Sequence, residues 1–221
     1  MNDSHDGSAK GASHETTLME GAEPNPKAQL IVASASPRRE QLLRKAGFKF
    51  LIDPANIDED SMPASLMPAE VARILAGAKA EAVAARHKHD VVLAADTVVA
   101  FGDTLLGKPR DADHARQILT LLSGTTHIVI TAVVVLHRHE NFRRAAAVMS
   151  AVRMRDLTPR EIDDYVATRL WEGKAGGYGI QDNDPFVTRM TGSHTNIVGL
   201  PMEVTVAMLS EAGIAANDEN R

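Results

Sequence analysis

Two adjacent arginines follow two serines and a proline at the end of an apolar run, an order that predicts an anion-binding turn. Residues 30–33 are predicted to form a buried strand, and the next helix begins with Ser36 as its cap and Pro37 in its first turn. A helix N-terminus offers free N–H groups and a positive dipole end. Arg38 and Arg39 add two cations whose fork geometry suits phosphate oxygens. From these residues alone, a capped helix with solvated arginines is an equally good interpretation.

Three further side chains could act on a phosphate bound at that turn. Asp96 is predicted to lie where the buried strand 91–95 ends, the edge of an open α/β sheet where ligands collect. There it could hold Mg²⁺ or accept a proton from water, although alone it is more often a turn cap. Lys108 lies between a glycine and a proline, so it suits a phosphate clamp as well as it suits a solvated loop. Lys79 lies in an alanine-rich helix, where most lysines extend to solvent.

An acidic run and a glycine-dense stretch are weaker candidates. Asp58 and Glu59 could supply further metal ligands, but acidic loops are usually only solvated. In residues 174–181 the glycines permit close approach of the backbone to a ligand. Tyr178 could pack on a base, and Gln181 could read a base edge because its amide both donates and accepts. The alternative for this stretch is a structural turn around a core tyrosine.

Composition argues against several function classes. The 221 residues include no cysteine, which removes disulfides, thiolate nucleophiles and thiolate metal sites. The nine histidines show no zinc-binding spacing, and neither serine of the turn lies in a nucleophile-elbow motif. A net charge of −5 and an aromatic share of 4% weigh against nucleic-acid binding. No apolar run spans a membrane and the polar first residues carry no signal-peptide pattern, so a cytoplasmic protein without membrane partners is expected.

Strand and helix patterns alternate along the body of the chain and predict an α/β fold with a central mixed sheet. The predicted strands are 30–33, 48–52, 91–95 with an extension over 98–101, 127–137 and 145–155. The predicted helices are 37–46, 68–87, 111–122, 158–168 and about 201–213. One domain, 29–214, is expected between a disordered tail, 1–28, and a frayed C-terminus, 215–221.

Several local signals define the ends and faces of these helices. Gly47 suits the position just after a helix, and residues 158–161 form a capping box with proline in the first turn. In helix 68–87 the apolar period groups Val71, Ile74, Leu75 and Ala78 on one face. That face is therefore predicted to pack on the sheet.

These pieces in this order resemble the Maf family of nucleoside triphosphate pyrophosphatases over about residues 29–210. Each piece is weak alone, and the ordered set is specific. The matching segments are 34–39, 57–59, 95–99, 107–109, 122–124, 173–181 and 198–201. The resemblance implies a single elongated α/β domain of the Maf/inosine triphosphatase type. Its central mixed sheet is flanked by helices, with a cleft between two lobes.

The resemblance also implies an activity and a set of residue roles. Family members cleave nucleoside triphosphates between the α and β phosphates with a divalent cation such as Mg²⁺, Mn²⁺ or Co²⁺. Asp96 matches the catalytic proton acceptor, with Lys79 and Lys108 beside it. Asp96, with Asp58 or Glu59, is expected to hold the metal. The matched substrate-binding residues are Ser34, Ser36, Arg38, Arg39, Thr97, Tyr178 and Gln181.

Residues 174–181 resemble the subtype that prefers dTTP and UTP. In that subtype the positions matching Arg38, Thr97 and Gln181 are tied to substrate choice. Asp182 departs from the glycine that the family often has there, and the N-terminal tail has no counterpart in the family pattern. The expected function is hydrolysis of dTTP and UTP, with modified pyrimidine nucleotides as further candidates, to the monophosphate and pyrophosphate.

Two alternatives stay open at this point. One is a pyrophosphatase for 7-methyl-GTP or another non-canonical nucleotide. The other is a nucleotide-binding regulator of cell division or septum formation, which would need the cationic cluster but not Asp96. The nucleoside triphosphate is the expected partner in either case, nucleic acid is not expected, and a homodimer is left open.

Overall fold

The computed structural model describes residues 28–59, 62–63, 65–180 and 186–217. The predicted N-terminal tail therefore lies outside the described residues except for Ala28, and so do Gln181 and Asp182. The strands are β1 Leu30–Val32, β2 Leu51–Ile52, β3 Val91–Phe101, β4 Thr104–Leu106, β5 Thr126–His137, β6 Phe142–Met154 and β7 Val187–Thr191. The helices are α1 Pro37–Lys45, α2 Pro68–Ala84, α3 Ala112–Leu122, α4 Pro159–Ala167, α5 His194–Val198 and α6 Met202–Glu211.

The strands form one mixed sheet, as the sequence predicts, in the order β2-β1-β3-β5-β6-β7. β1 is parallel to β2 and β3, and the remaining pairs are antiparallel. Because side chains alternate along a strand, the two faces of β3 bury different residues. Val92 and Ala94 pack under α2, whereas Leu93 lies in a second cluster with residues of α1 and α6. Helices thus cover both faces at this end of the sheet.

A third hydrophobic cluster forms at the other end of β3 and β5. It joins Val99 and Val129 of these strands to residues of α3 and α4, including Leu119 and Val166. β3 and β5 therefore pass through both ends of the molecule and connect two groups of helices. The α/β class with a central sheet flanked by helices is confirmed.

β3 is one continuous strand, so the prediction that it breaks at Asp96 is wrong. Asp96 pairs with Ala132 of β5 in the middle of the strand. A carboxylate is accommodated there because the opposite edge of β3 is only partly covered. β1 pairs with β3 as far as Leu93, and β4 pairs with it again from Val99 onwards. Between Leu93 and Val99 this edge of β3 pairs with no strand in the described part of the chain. Asp96 and Thr97 lie beside this gap.

The remaining differences from prediction are at element boundaries and in short elements. α2 ends at Ala84 rather than at residue 87, and β2 has two residues rather than five. β4, β7 and α5 were not predicted; all three are short, and each is followed directly by a glycine. The capping box at α4 is confirmed, with Thr158 Oγ1 accepting from the Glu161 amide at 3.3 Å. Asn217, the last described residue, donates its amide to the Gly47 carbonyl at 2.9 Å.

The buried face of α2 differs from the predicted one. Val71 and Leu75 are buried as expected, but Ile74 is 44% exposed and Ala78 is exposed too. The buried stripe instead runs along every fourth residue, through Leu75, Lys79 and Val83. Buried alanines flank this stripe, so the helix lies close over the sheet. Because Lys79 belongs to this stripe, its side chain is buried in the interior of the protein.

None of the helices in the described ranges combines the length and the apolar character needed to cross a membrane.

A matched pair of substitutions tests the face that α2 buries. Leu75→Ala should lower the free energy of unfolding by about 2–5 kcal/mol, because it opens a cavity under the helix. Ile74→Ala should cost less than about 1 kcal/mol, because that side chain is half in solvent. Urea unfolding of both variants measures the difference. Equal losses would contradict the assigned face.

Candidate active site

A cleft of about 640 Å³ opens along the uncovered edge of β3. One wall is the turn between β1 and α1, and the other is the glycine-rich segment before β7. The site residues predicted from sequence that line this cleft are Ser34, Ser36, Arg38, Arg39, Glu59, Lys79, Asp96, Thr97, Lys108 and Tyr178. The structure therefore brings together residues that lie more than 140 positions apart in the chain. Asp58 is exposed and does not contribute to the lining.

The centre of the cleft is a buried ion pair between Lys79 and Asp96. Lys79 Nζ lies 2.6 Å from Asp96 Oδ1, and the two residues are only 7% and 6% exposed. Lys79 lies on the buried stripe of α2, and Asp96 lies on the face of the sheet that α2 covers. Because both charges are removed from water, each depends on the other for its stability.

Glu59 extends this pair into a line of alternating charges. Lys79 Nζ also lies 2.7 Å from Glu59 Oε1, and the second oxygen of Glu59 accepts from Lys108 Nζ at 2.7 Å. Burial acts to raise the pKa of Glu59, but the hydrogen bonds from Lys108 and Lys79 outweigh it and hold that pKa to about 2. Glu59 is therefore ionised at neutral pH and links the two lysines.

At Asp96 the effect of burial on the pKa outweighs the effect of the neighbouring charges, the reverse of Glu59. Burial raises the pKa of Asp96, and the nearby charges of Lys79 and Arg39 offset this only in part. A carboxylate with a raised pKa is a better proton acceptor near neutral pH than an ordinary aspartate. Oδ1 is occupied by Lys79, and no hydrogen bond from the described residues reaches Oδ2. Oδ2 is the oxygen that a water molecule can use.

Arg39 is held in place by three hydrogen bonds to three different segments. Its Nε donates to the Gly199 carbonyl at 2.9 Å, one Nη donates to Ser34 Oγ at 2.9 Å, and the other donates to Thr97 Oγ1 at 3.1 Å. A guanidinium has five N–H groups, so two remain for a ligand. Burial lowers the pKa of Arg39, but an arginine keeps its charge at physiological pH. The result is a fixed cation at the wall of the cleft.

Arg38 and Ser36 occupy the rest of the turn more loosely. Arg38 is half-buried, and one Nη lies 3.5 Å from the Gly173 carbonyl on the opposite wall. Ser36 stands at the N-cap position and Pro37 follows it, as predicted, but the Ser36 side chain makes no capping bond within the described part of the chain. The helix therefore relies on proline for its start, and the serine hydroxyl is left for a ligand.

Tyr178 lines the cleft as a core residue rather than as an exposed platform. It is 6% exposed, and its hydroxyl lies 2.6 Å from Nε2 of His127. Burial lowers the pKa of His127 to about 4, so the ring is neutral at pH 7. The nearby glycines serve the fold: a Cβ on Gly176, whose φ is +72°, would lie 3.0 Å from Val99. Gln181 lies outside the described residues, so its base-reading role stays a prediction.

The donor set fits a divalent cation that arrives with its substrate. Within the described ranges there is no cluster of three histidine, aspartate or glutamate side chains able to hold a metal. Mg²⁺ commonly binds through one or two carboxylates and completes its shell with phosphate oxygens and water. Asp96 and Glu59 are two such carboxylates, joined through Lys79.

Sequence reasoning missed several residues of the site. Lys174 is buried and lines the cleft, and Asn196 and Thr131 are fully buried behind Thr97. A local signal existed only for Asn196, since Ser193 caps α5 three residues before it and Gly199 ends the helix. Nothing near Thr131 in the sequence distinguishes it from the other β-branched residues of β5.

Comparison with known proteins places the chain in a family. The family described as Maf-like protein matches residues 29–212. The chain belongs to the Maf family. It is 45% identical over 186 residues to the dTTP/UTP pyrophosphatase of Zymomonas mobilis, covering 83% of this chain and 91% of that protein. It is 46% identical over 187 residues to the dTTP/UTP pyrophosphatase of Cereibacter sphaeroides, covering 84% and 95%.

One solved structure shows a more distant likeness. It is the crystal structure of the nucleoside-triphosphatase / dITP/XTP pyrophosphatase from Mycobacterium abscessus, with a TM-score of 0.42 and 14% identity over 84% of this chain and 97% of that chain. The assignment to the family rests on the sequence matches.

A double-mutant cycle tests whether Lys79 and Asp96 stabilise each other. Lys79→Met leaves a buried carboxylate without its main partner, so stability at pH 7 should fall by about 3–5 kcal/mol. Adding Asp96→Asn removes that charge, so the two losses should not add. Urea unfolding of the four proteins gives the coupling energy. Lys45→Met, at an exposed lysine of α1, is the control and should cost under about 0.5 kcal/mol. Additive losses would contradict a direct pair.

Proposed function

We propose that the protein is a nucleoside triphosphate pyrophosphatase that hydrolyses dTTP and UTP to the monophosphate and pyrophosphate. The observation that carries this proposal is the buried carboxylate of Asp96, paired with Lys79 in a cleft whose walls carry Arg38, Arg39 and Lys108. The Maf-family relatives at 45% and 46% identity are named dTTP/UTP pyrophosphatases, which supports both the reaction and the choice of base.

The cations of the cleft answer the main electrostatic difficulty of the reaction. A nucleoside triphosphate carries about four negative charges, and attack at a phosphorus atom must overcome their repulsion. Arg39 is fixed in position before the substrate arrives, so little reorganisation is needed there. Arg38, with its single long contact to Gly173, can move to meet the phosphates. Together these side chains grip the triphosphate without taking part in bond making.

Asp96 acts on the attacking water. Its Oδ2 accepts a proton as the water oxygen bonds to the α phosphorus, and the bond from that phosphorus to the bridging oxygen of pyrophosphate breaks. The cation of Lys79 holds Oδ1 and fixes the direction of the carboxylate. Lys108 lies where it can neutralise charge on the departing pyrophosphate once Glu59 releases it. Asp96 and Glu59 would hold a divalent cation such as Mg²⁺, Mn²⁺ or Co²⁺, which supplies charge neutralisation and lowers the pKa of water.

A protein that only bound nucleotides would have little use for Asp96. A carboxylate among phosphate-binding cations repels the ligand and weakens binding. Its burial also has a cost, which Lys79 only partly offsets. A proton acceptor beside the scissile bond accounts for both features, so the geometry favours an enzyme over a regulator of cell division. The names of the relatives, all dTTP/UTP pyrophosphatases, argue against 7-methyl-GTP as the substrate.

A nucleotide panel tests the proposal. With Mg²⁺ or Mn²⁺, the protein should release pyrophosphate from dTTP and UTP faster than from purine triphosphates, and excess EDTA should abolish the release.

Asp96→Asn should reduce turnover at least about a hundredfold while the protein stays folded, because the proton acceptor is lost. Asp113→Asn, at an exposed carboxylate of α3, is the matched control and should keep full activity. Near wild-type turnover by Asp96→Asn would exclude Asp96 as the base.

A further inference from the structure

A buried line of hydroxyl groups lies behind Arg39 and ends at the backbone of α5. Arg39 Nη donates to Thr97 Oγ1 at 3.1 Å, and Thr97 Oγ1 lies 3.0 Å from Thr131 Oγ1. Thr131 Oγ1 lies 2.9 Å from the carbonyl oxygen of Asn196. Thr131 and Asn196 are fully buried, whereas Thr97 and Arg39 are partly exposed to the cleft. Neither residue has a part in the mechanism described above.

The chemistry of the two ends fixes the direction of every hydrogen bond in this line. A carbonyl oxygen can only accept, so Thr131 must give its one hydroxyl proton to Asn196. Thr131 then has no proton for Thr97, so Thr97 donates to Thr131 at 3.0 Å, an acceptor nearer than the Gly199 carbonyl at 3.5 Å. A guanidinium can only donate, so Thr97 accepts from Arg39. The order of donation is Arg39 to Thr97, Thr97 to Thr131, and Thr131 to Asn196.

Asn196 anchors the far end of this line to the sheet. Its side-chain oxygen accepts from the amide of Thr131 at 3.1 Å, and its Nδ2 donates to the Val129 carbonyl at 3.1 Å and to Ser150 Oγ at 2.9 Å. The side chain is thus bound to two strands, β5 and β6. It therefore fixes α5 relative to β5, and α5 leads directly into Gly199, whose carbonyl accepts from Arg39 Nε.

We propose that Thr131 and Asn196 are positioning residues that fix the Arg39 guanidinium, Thr131 through the Thr97 hydroxyl and Asn196 through both Thr131 and Gly199. The inference rests on the proposed function, since it assigns Arg39 to the binding of the triphosphate. One consequence concerns Thr97 itself. Its only proton is committed to Thr131, so Thr97 can meet a nucleotide as a hydrogen-bond acceptor but not as a donor. Its main role is to hold Arg39.

Thr131→Val is the direct test, because valine keeps the shape and β-branching of threonine and removes only the hydroxyl. The Asn196 carbonyl keeps the Gly199 amide as a donor at 3.0 Å, so the substitution leaves no buried carbonyl without a partner. Thr97 loses its acceptor at 3.0 Å and can turn its proton toward the Gly199 carbonyl at 3.5 Å. The bond from Arg39 to Thr97 is then no longer held in one direction, while Arg39 keeps its bonds to Ser34 and Gly199. The KM for dTTP should rise about three- to tenfold, with kcat changed less than about twofold, because ground-state and transition-state binding weaken together.

Two control variants separate positioning from a loss of stability. Thr131→Ser keeps the hydroxyl and should restore the KM to within about twofold of the wild-type value. Thr205→Val removes a hydroxyl that is equally buried but bonds only to the Pro201 carbonyl at 2.8 Å, within α6. It should leave the KM unchanged. If Thr131→Val does not fold, Thr131→Ala makes the same test without the extra methyl group.

A readout that does not depend on turnover is the ¹⁵N NMR signal of the Arg39 Nη–H group that donates to Thr97, assigned by its loss in Arg39→Lys. The signal should be sharp and slow to exchange in the wild type and in Thr131→Ser, and weak or absent in Thr131→Val. If the wild type releases no pyrophosphate, the proposed function fails while this signal still tests the line of hydroxyls. A KM and an Arg39 signal in Thr131→Val that match those of Thr205→Val would overturn the inference.

Discussion

The buried ion pair of Lys79 and Asp96 is the constraint on which the rest of the site depends. A carboxylate in the middle of a central strand is tolerable only if a cation reaches it inside the protein. That cation comes from α2, which must lie close over the sheet, and the buried alanines beside Leu75 and Val83 allow this. The same residues that pack the core therefore also place the lysine that pairs with Asp96, the proposed catalytic carboxylate.

The gap between β1 and β4 gives this pair access to a ligand. β3 is covered along one whole edge by β5 but only at its two ends along the other. Asp96 and Thr97 lie beside the uncovered part and point to opposite faces of the sheet, so one meets α2 and the other meets Arg39. A single strand thus serves the proposed proton acceptor on one face and the proposed phosphate-binding arginine on the other.

The cleft has more cations than carboxylates in its lining, and the two sets are unevenly paired. Glu59 bridges Lys79 and Lys108, and any phosphate that binds either lysine must compete with this carboxylate. Arg39 has no such anionic contact among its hydrogen bonds, all of which go to neutral oxygens. We therefore expect the arginines to meet the triphosphate first and the lysines to engage once Glu59 releases them.

Much of this site could be predicted from sequence, because its local signals, each weak alone, occur in the order that resembles the Maf family. The turn of serines, proline and arginines, the constrained Lys108 and the capping box of α4 each depend on neighbours in the chain. The continuity of β3 could not be predicted from sequence. Aspartate and threonine in mid-strand argue locally for the end of a strand, and only the pairing with β5 overrides this. The burial of Lys79 was visible as a fourth-residue stripe through Leu75 and Val83, but the stronger apolar period of Ile74 obscured it. Thr131 and Asn196 acquire their meaning only from contacts across the fold.

Hydrolysis of dTTP in H₂¹⁸O tests the central claim most directly, because the position of the label reports which phosphorus atom the water attacks. If Asp96 directs water to the α phosphorus, mass spectrometry after a single turnover should find one ¹⁸O atom in the monophosphate and none in pyrophosphate. Label in pyrophosphate, or release of labelled inorganic phosphate with a nucleoside diphosphate, would contradict the account.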